Sequence, residues 1–306
     1  GESVAFNSGM ISIAGNRTLT GSNALNQRLL GTSASVGKSI EIGGTFTLST
    51  GFTLNGGKLS VGGLNNGYNL TFTSGTLEYT GGSFSVSGSG PFGDTVVFGP
   101  GKIVSVTGSA TASVGSEGYV SLSGGRLSVH TTLTNDGEIV LSSPTTRIQG
   151  DGTFTNNGLL QGTGRIEISD VINSSSGVIR AGSGQSMRFL TAVSNSGRIE
   201  LQGGSFETTS LSNAAGSVLA MSNGSTLRLN AGAPSFNAGS VLISGNADFY
   251  GDMTNDTGGV VRIGGGGVVN FFDDIDNNAT FEVAGGSAAV FFGTLDPGTI
   301  DGFGTV

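Results

Sequence analysis

Acidic side chains concentrated at one end of the chain are the residues whose types could most readily do chemistry. Residues 248–306 hold nine acidic residues and one base, Arg262, whereas residues 1–247 hold 12 of each. The formal net charge of −8 therefore comes entirely from the C-terminal stretch. Because an acidic protein without basic patches is a poor partner for nucleic acid, we do not expect nucleic-acid binding.

Three of these acids, Asp252, Asp273 and Asp274, could act together. Asp252 and Asp273 each follow an aromatic strand and lie 21 positions apart, so they could be neighbours in successive repeats. Stacked carboxylates repel unless they are solvated or neutralised, and Ca²⁺ prefers oxygen ligands. One interpretation is therefore a Ca²⁺ site, and the other is a solvated acidic face that keeps the protein soluble. The solvated face is favoured because the Gly-Gly-x-Gly-x-Asp calcium repeat is absent, and no other cofactor is expected.

Nucleophilic catalysis has little support in the sequence. There is no cysteine, and His130 is the only histidine, so a catalytic triad would have to use it. His130 follows an alternating stretch, where an outward strand residue is the simplest interpretation. Arginines recur about once per repeat with glutamates nearby, which suits cross-turn ion pairs better than an active site. These residues are Arg147, Arg165, Arg188 and Arg198, with Glu138, Glu167 and Glu200. We therefore expect a protein that is not an enzyme.

A short phrase containing an asparagine and a glycine positions these residues, because it returns at a nearly constant interval. Its glycines fall at positions 137, 158, 177, 197, 216, 239 and 258, in steps of 21, 19, 20, 19, 23 and 19 residues. A period near 20 that tolerates small insertions is typical of a solenoid of stacked turns. The asparagines of the phrase are Asn135, Asn156, Asn173, Asn195, Asn213, Asn237, Asn255 and Asn277.

The recurring asparagines have a physical role if they lie at the corners of the turns. Asparagine tolerates the left-handed conformation, and its amide can hydrogen-bond the backbone of the next turn. A ladder of stacked side chains would satisfy corner groups that otherwise lack partners. The alternative is that asparagine is a generic turn residue, and the regular placement before a glycine favours the ladder.

Apolar and polar residues alternate between the corners, as they do in half-buried strands. One set of residues predicted to point inward is the bulky centre of a strand: Ile148, Ile168, Phe189, Leu229, Phe249, Phe271 and Phe292. A second set precedes the asparagine corner: Leu133, Phe154, Ile172, Val193, Leu211, Phe236, Met253 and Ile275. The chain is therefore predicted to be all-β, a right-handed single-stranded parallel β-helix (β-solenoid) of about 15 turns of ~20 residues.

The regularity of the repeat divides the chain. Residues 1–125 are predicted to be a less regular N-terminal part of the solenoid, and residues 126–306 the regular part of the same solenoid. Residues 21–37 break the alternation, which predicts a loop or short helix over the first turns. No apolar run approaches the ~18 residues that span a membrane, so no transmembrane segment is expected. Both ends fall in mid-pattern, which favours a processed fragment of a longer exported chain.

The repeated (Leu/Phe/Ile)-Thr-Asn-x-Gly-x-Ile phrase resembles the right-handed β-helical passengers of bacterial autotransporters and related exported surface proteins. The ending, Ala288-Ala-Val-Phe-Phe-Gly-Thr-Leu-Asp-Pro-Gly and then Asp301-Gly-Phe-Gly-Thr-Val, is similar to the repeat that closes long planctomycete-type surface proteins. The resemblance brings no catalytic motif, and the barrel or sorting tail of such proteins is not present in this sequence. It implies a bacterial protein that lies at the cell surface or outside the cell.

These observations predict a non-enzymatic extracellular structural protein, either an adhesin-like stalk or a building block of an extracellular fibre. Its expected partners are further copies, associating end to end through the terminal turns, and surface glycans. The alternative function is a carbohydrate-binding or polysaccharide-degrading β-helix. Such a protein would use an exposed groove with carboxylates and aromatic residues such as Tyr79, Tyr119 or Tyr250.

Overall fold

The computed structural model describes residues 6–19, 31–88, 90–222, 224–230, 234–296 and 298–306. They belong to two compact units, Gly1–Thr153 and Phe154–Val306. The regular secondary structure of the described residues consists of β-strands, with no α-helix among them and one 3₁₀ turn at Gly67–Asn69. No helix in this part of the chain is long and apolar enough to cross a membrane. Residues 21–30 of the predicted loop or short helix lie outside the described residues.

The first unit is a parallel β-solenoid, since each of its described strand pairings is parallel. The strand Glu138–Asn156 begins in this unit, with residues 138–153, and ends in the next, with residues 154–156. The strands are β1 Gly9–Ile13, β2 Arg17–Leu19, β3 Ser33–Ser35, β4 Lys38–Leu48, β5 Phe52–Asn65, β6 Leu70–Tyr79, β7 Ser83–Val86, β8 Thr95–Phe98, β9 Lys102–Val106, β10 Thr111–Val114, β11 Tyr119–Leu122, β12 Arg126–Val129, β13 Thr132–Asn135 and β14 Glu138–Asn156.

The second unit is built in the same way, and its named strands also pair in parallel. Its strands are β15 Leu159–Asn173, β16 Val178–Gly182, β17 Ser186–Phe189, β18 Val193–Asn195, β19 Arg198–Gln202, β20 Ser205–Thr208, β21 Leu211–Asn213, β22 Val218–Ser222, β23 Ser225–Leu229, β24 Phe236–Asn237, β25 Ser240–Ser244, β26 Ala247–Tyr250, β27 Met253–Asn255, β28 Val260–Gly264, β29 Val268–Phe271, β30 Ile275–Asn277, β31 Thr280–Val283, β32 Ala288–Phe291, β33 Leu295–Asp296 and β34 Thr299–Gly302. The predicted parallel β-solenoid is thus confirmed, and its right-handed sense stays a prediction.

The number of turns differs from the sequence prediction. The described residues make about 13 turns rather than 15, because the turns of the first unit are longer than expected. There, Ile40 pairs with Leu59, 19 residues on, but Leu77 pairs with Val104, 27 residues on. A turn absorbs such insertions in its corner loops without losing the strand register, since loops tolerate insertion.

The core consists of columns in which like residues stack on like residues. In the second unit, one column joins Ile179, Ile199, Leu219, Val241, Val261 and Phe281 by direct strand pairing. Aromatic rings form another column, where Phe271 lies 5.4 Å from Phe249 and 4.9 Å from Phe291 between ring centroids. Burial of one such side chain stabilises the fold by roughly 1.5–3 kcal/mol.

Three residues predicted to point inward lie on the outside. Phe292 is 65 % exposed, and Ile172 and Phe236 are also exposed. The buried residues next to the last two are Val171 and Ser235, each two positions before its asparagine. Because side chains alternate across a strand, only the residue two before a buried asparagine shares its inward direction. The expectation that the residue immediately before asparagine is internal was therefore wrong at these two corners.

The aromatic column gives a direct test of the packing. Replacing Phe271 by Ala should lower the free energy of unfolding by about 3–5 kcal/mol, because it leaves a cavity between stacked rings. The matched control is Phe292→Ala, which removes an equally large ring from an exposed position and should change stability by less than about 1 kcal/mol. Denaturant unfolding followed by circular dichroism compares the two variants, and equal losses would contradict the assignment of Phe271 to the core.

Candidate functional site

The corner asparagines of the second unit form a continuous chain of hydrogen bonds. All seven are buried, and the Nδ2 of each of the first six donates to the Oδ1 of the asparagine in the next turn, while Asn277 Nδ2 donates to the carbonyl of Thr299. The donor–acceptor distances are 2.8 Å for Asn156 to Asn173, 2.7 Å for Asn173 to Asn195, 2.7 Å for Asn195 to Asn213, 2.7 Å for Asn213 to Asn237, 2.8 Å for Asn237 to Asn255 and 2.7 Å for Asn255 to Asn277. Asn135 is also buried, in the first unit.

The amides of this asparagine ladder also bind the backbone at the corners. Asn173 Nδ2 donates to the carbonyl of Arg198 at 3.2 Å, and Asn255 Nδ2 donates to that of Thr280 at 3.0 Å. A buried amide whose donors and acceptor are all engaged stabilises the fold, whereas one left unpaired costs about 1–3 kcal/mol. The ladder therefore fixes the vertical register of the corners, and it is a structural element.

The glycine that follows the corner asparagine is needed at some corners for close approach and at others for a special backbone angle. A Cβ on Gly177 would clash with the carbonyl oxygen of Asn156 and with Oδ1 of Asn173. Gly216 and Gly258 have positive φ angles. Each lies one residue before the position that stacks on the repeat glycine of the preceding turn, which is Gly197 for Gly216 and Gly239 for Gly258. Glycine is therefore required in the repeat for two different structural reasons, close approach and a positive φ angle.

The aspartates proposed to bind Ca²⁺ lie at exposed corners of the second unit. Met253 pairs with Ile275, so the vertical neighbour of Asp252 is Asp274 and not Asp273 as predicted. The offset here is 22 residues, because this turn is longer than the 21 residues that separate Asp252 from Asp273. The stacking inferred from sequence spacing alone was therefore wrong by one residue.

Each of these carboxylates accepts a backbone N–H from a neighbouring turn. Asp252 Oδ1 accepts from the N–H of Asp274 at 3.1 Å, and Asp273 Oδ2 accepts from Gly251 at 2.7 Å. Asp274 Oδ1 accepts from the N–H of Thr294 at 2.7 Å, and this backbone hydrogen bond holds the pKa of Asp274 below its ordinary value. Among the described residues, no group of three His, Cys, Asp or Glu could hold a metal ion, and the Ca²⁺ site stays a prediction.

A row of three polar residues in the first unit was missed by sequence reasoning. The two ring nitrogens of His130 contact Ser128 Oγ at 3.2 Å through Nε2 and Asp151 Oδ1 at 2.6 Å through Nδ1. The Asp151 hydrogen bond to His130 is the main cause of a lowered pKa at that carboxyl. This is the connectivity of a catalytic triad. However, Ser128 is only 7 % exposed, so its hydroxyl is poorly placed to reach a substrate.

Ion pairs line the outer strands, as the arginine spacing predicted. Arg188 pairs across turns with Glu207 at 3.0 Å. Arg198 pairs with Glu200 of its own strand, while Arg180 reaches the same carboxylate from the previous turn at 2.7 Å. Burial is the largest influence on the pKa of Glu200 and raises it, but the hydrogen bonds from Arg180 and Arg198 together bring the pKa below its ordinary value.

The aromatic residues suggested for an exposed groove differ in their burial and in their contacts. Tyr79 is fully buried, which raises the pKa of its hydroxyl and makes its placement in a groove wrong. Tyr119 lies half-buried on β11 of the first unit. Tyr250 belongs to the second unit, where its ring stacks on Phe272 at 4.3 Å and on the guanidinium of Arg228 at 3.9 Å. Since its two faces are covered, Tyr250 offers only a ring edge to a ligand.

The asparagine ladder can be tested by a pair of substitutions at neighbouring turns of the chain. Asn255→Leu should destabilise the second unit, because it leaves Asn237 Nδ2 and Asn277 Oδ1 without their ladder partners, at about 1–3 kcal/mol for each group. Asn278→Leu places the same side chain at an exposed position and serves as control. Thermal or denaturant unfolding measures both, and an Asn255 variant as stable as the control would show that the ladder contributes nothing.

The two interpretations of the acidic corners predict different responses to Ca²⁺. We expect the unfolding midpoint to be the same in millimolar Ca²⁺ and in EDTA at fixed physiological salt, because backbone N–H groups already bind the carboxylates. A bound ion would raise the midpoint by mass action. A rise that disappears in Asp252→Asn and Asp274→Asn, with Mg²⁺ as the comparison ion, would restore the Ca²⁺ site.

Comparison with known proteins finds no match for this chain at three levels. No protein family, no curated protein sequence and no solved structure matches it. A proposal for its function therefore rests on the geometry of the chain's own residues.

Proposed function

We propose that the chain is a non-enzymatic structural β-solenoid of the bacterial cell surface or extracellular space. It would act as an adhesin-like stalk or as a building block of an extracellular fibre, like the autotransporter-type surface proteins that its repeat resembles. The single observation that carries the proposal is the asparagine ladder, a buried network that runs through seven corners of the second unit. A side-chain network of this kind serves the regular stacking of turns and does no chemistry.

The non-enzymatic part of the proposal is supported by the geometry of the Ser128 row. A serine hydrolase needs an accessible hydroxyl and donors that stabilise the oxyanion, whereas Ser128 is nearly buried in an outward strand position. A fluorophosphonate probe, which reacts with activated serines, should therefore leave Ser128 unlabelled. Labelling that is lost in both Ser128→Ala and His130→Ala would show that the row is a catalytic site and would overturn this part of the proposal.

The structural role itself predicts self-association. Parallel strands present unpaired backbone groups at the edge of any terminal turn, and such edges add further strands when nothing covers them. We expect electron micrographs of the purified chain to show end-to-end filaments whose length grows with protein concentration. Single particles of constant size at all concentrations, measured also by light scattering, would overturn the fibre version and leave the stalk version.

A further inference from the structure

The outer face of the second unit contains a groove that the proposed function does not use. It has a volume of about 470 Å³ and crosses strands β19, β22, β25 and β28. Its lining includes Arg198, Ala220, Ser222, Leu242, Ser244 and Arg262. Elsewhere on the outer strands, long charged side chains pair across the turns and cover the surface. A groove at this place therefore needs an explanation.

The strand register explains where the groove lies. Glu200 pairs with Ala220, Ala220 with Leu242 and Leu242 with Arg262, which places two uncharged residues between charged ones in a single outward column. The neighbouring column runs from Ser222 through Ser244 to Gly264. Ala220 and Leu242 form an apolar floor, and the hydroxyl groups of Ser222 and Ser244 lie beside it. The longer charged residues at either end of the column form the walls.

The wall that contains Arg198 carries an excess of positive charge. Arg180 and Arg198 both donate through Nε to the carboxylate of Glu200, so two cations share one anion. The lowered pKa of Glu200 keeps that carboxylate ionised at neutral pH. At the opposite wall Arg262 is balanced by Glu282. An anionic group in the groove would therefore be attracted to Arg198, whose side chain is 46 % exposed.

We propose that this groove binds a carboxylate-bearing saccharide, such as a uronic acid unit of an acidic polysaccharide. The C–H face of the sugar ring would pack on Ala220 and Leu242, its hydroxyls would meet Ser222 and Ser244, and its carboxylate would bind Arg198. A few polar groups around an apolar floor are typical of small-ligand sites. The inference deepens the proposed function, on which it rests, by naming the class of ligand that an extracellular solenoid would contact.

The groove can be blocked without disturbing the fold. A Cβ on Gly264 would meet no atom within 4 Å, and its φ angle lies outside the region that favours glycine, so Gly264→Tyr would project a ring into the groove. The matched control is Gly99→Tyr in the first unit, where a Cβ also meets no atom within 4 Å. Arg198→Gln removes the cation while keeping a polar, though shorter, side chain.

Isothermal titration calorimetry with trigalacturonate, and with neutral galactotriose as the uncharged counterpart, tests the proposal. We expect trigalacturonate to bind the native chain and the Gly99 variant alike, and galactotriose to bind at least about tenfold more weakly. Arg198→Gln and Gly264→Tyr should each weaken trigalacturonate binding by about tenfold or more, with unchanged unfolding midpoints. Raised salt should weaken binding further, because exposed charges are screened.

Two results would overturn the inference. One is the absence of trigalacturonate binding to the native chain, and the other is binding that both groove variants retain. Tighter binding of decanoate or of an acidic peptide than of trigalacturonate would also overturn it, because the groove would then select another class of ligand. Mass spectrometry of the recovered trigalacturonate separates the two proposals: cleavage would refute the non-enzymatic function while supporting the groove, and intact ligand supports both.

Discussion

Hydrogen bonding between successive turns is the constraint on which the rest of each unit depends. Every strand in a parallel solenoid takes its partners from the turns on either side, so a turn has no backbone stability of its own. The asparagine ladder extends the same principle to side chains, because each amide both donates to one turn and accepts from another. Corner and strand are thereby fixed in one register from turn to turn.

The stacking requirement explains why the two faces of the strands differ so much in composition. An inward residue lies directly on the same position of the next turn, so aliphatic and aromatic columns such as Phe249, Phe271 and Phe291 fill the interior. The type of an outward residue is constrained only by its nearest neighbours on the surface. Ion pairs, hydroxyls and the rings of Tyr250 and Phe272 therefore replace one another on the outer face with little effect on the core.

Freedom on the outer face is what allows a solenoid to acquire a ligand site. The column that carries Arg180, Glu200, Arg262 and Glu282 has Ala220 and Leu242 at its middle, where the groove lies, and the parallel strand pairing continues through all six positions. A structural role and a binding role can therefore occupy different surfaces of the same turns. Ser128 contacts His130 in the first unit and is 7 % exposed, and the absence of a catalytic role there stays a prediction.

The sequence by itself determined the parallel solenoid, the approximate period and the positions of the corner asparagines, because these follow from patterns that repeat many times. Tertiary structure decided the details that depend on one residue of register. Sequence spacing paired Asp252 with Asp273, placed Ile172 and Phe292 inside and left Tyr79 for a groove, whereas strand pairing reversed each of these. It also brought Asp151 beside His130 from a different turn. The physical reason is that side chains alternate in direction at every residue, so a corner insertion of one residue exchanges inside for outside.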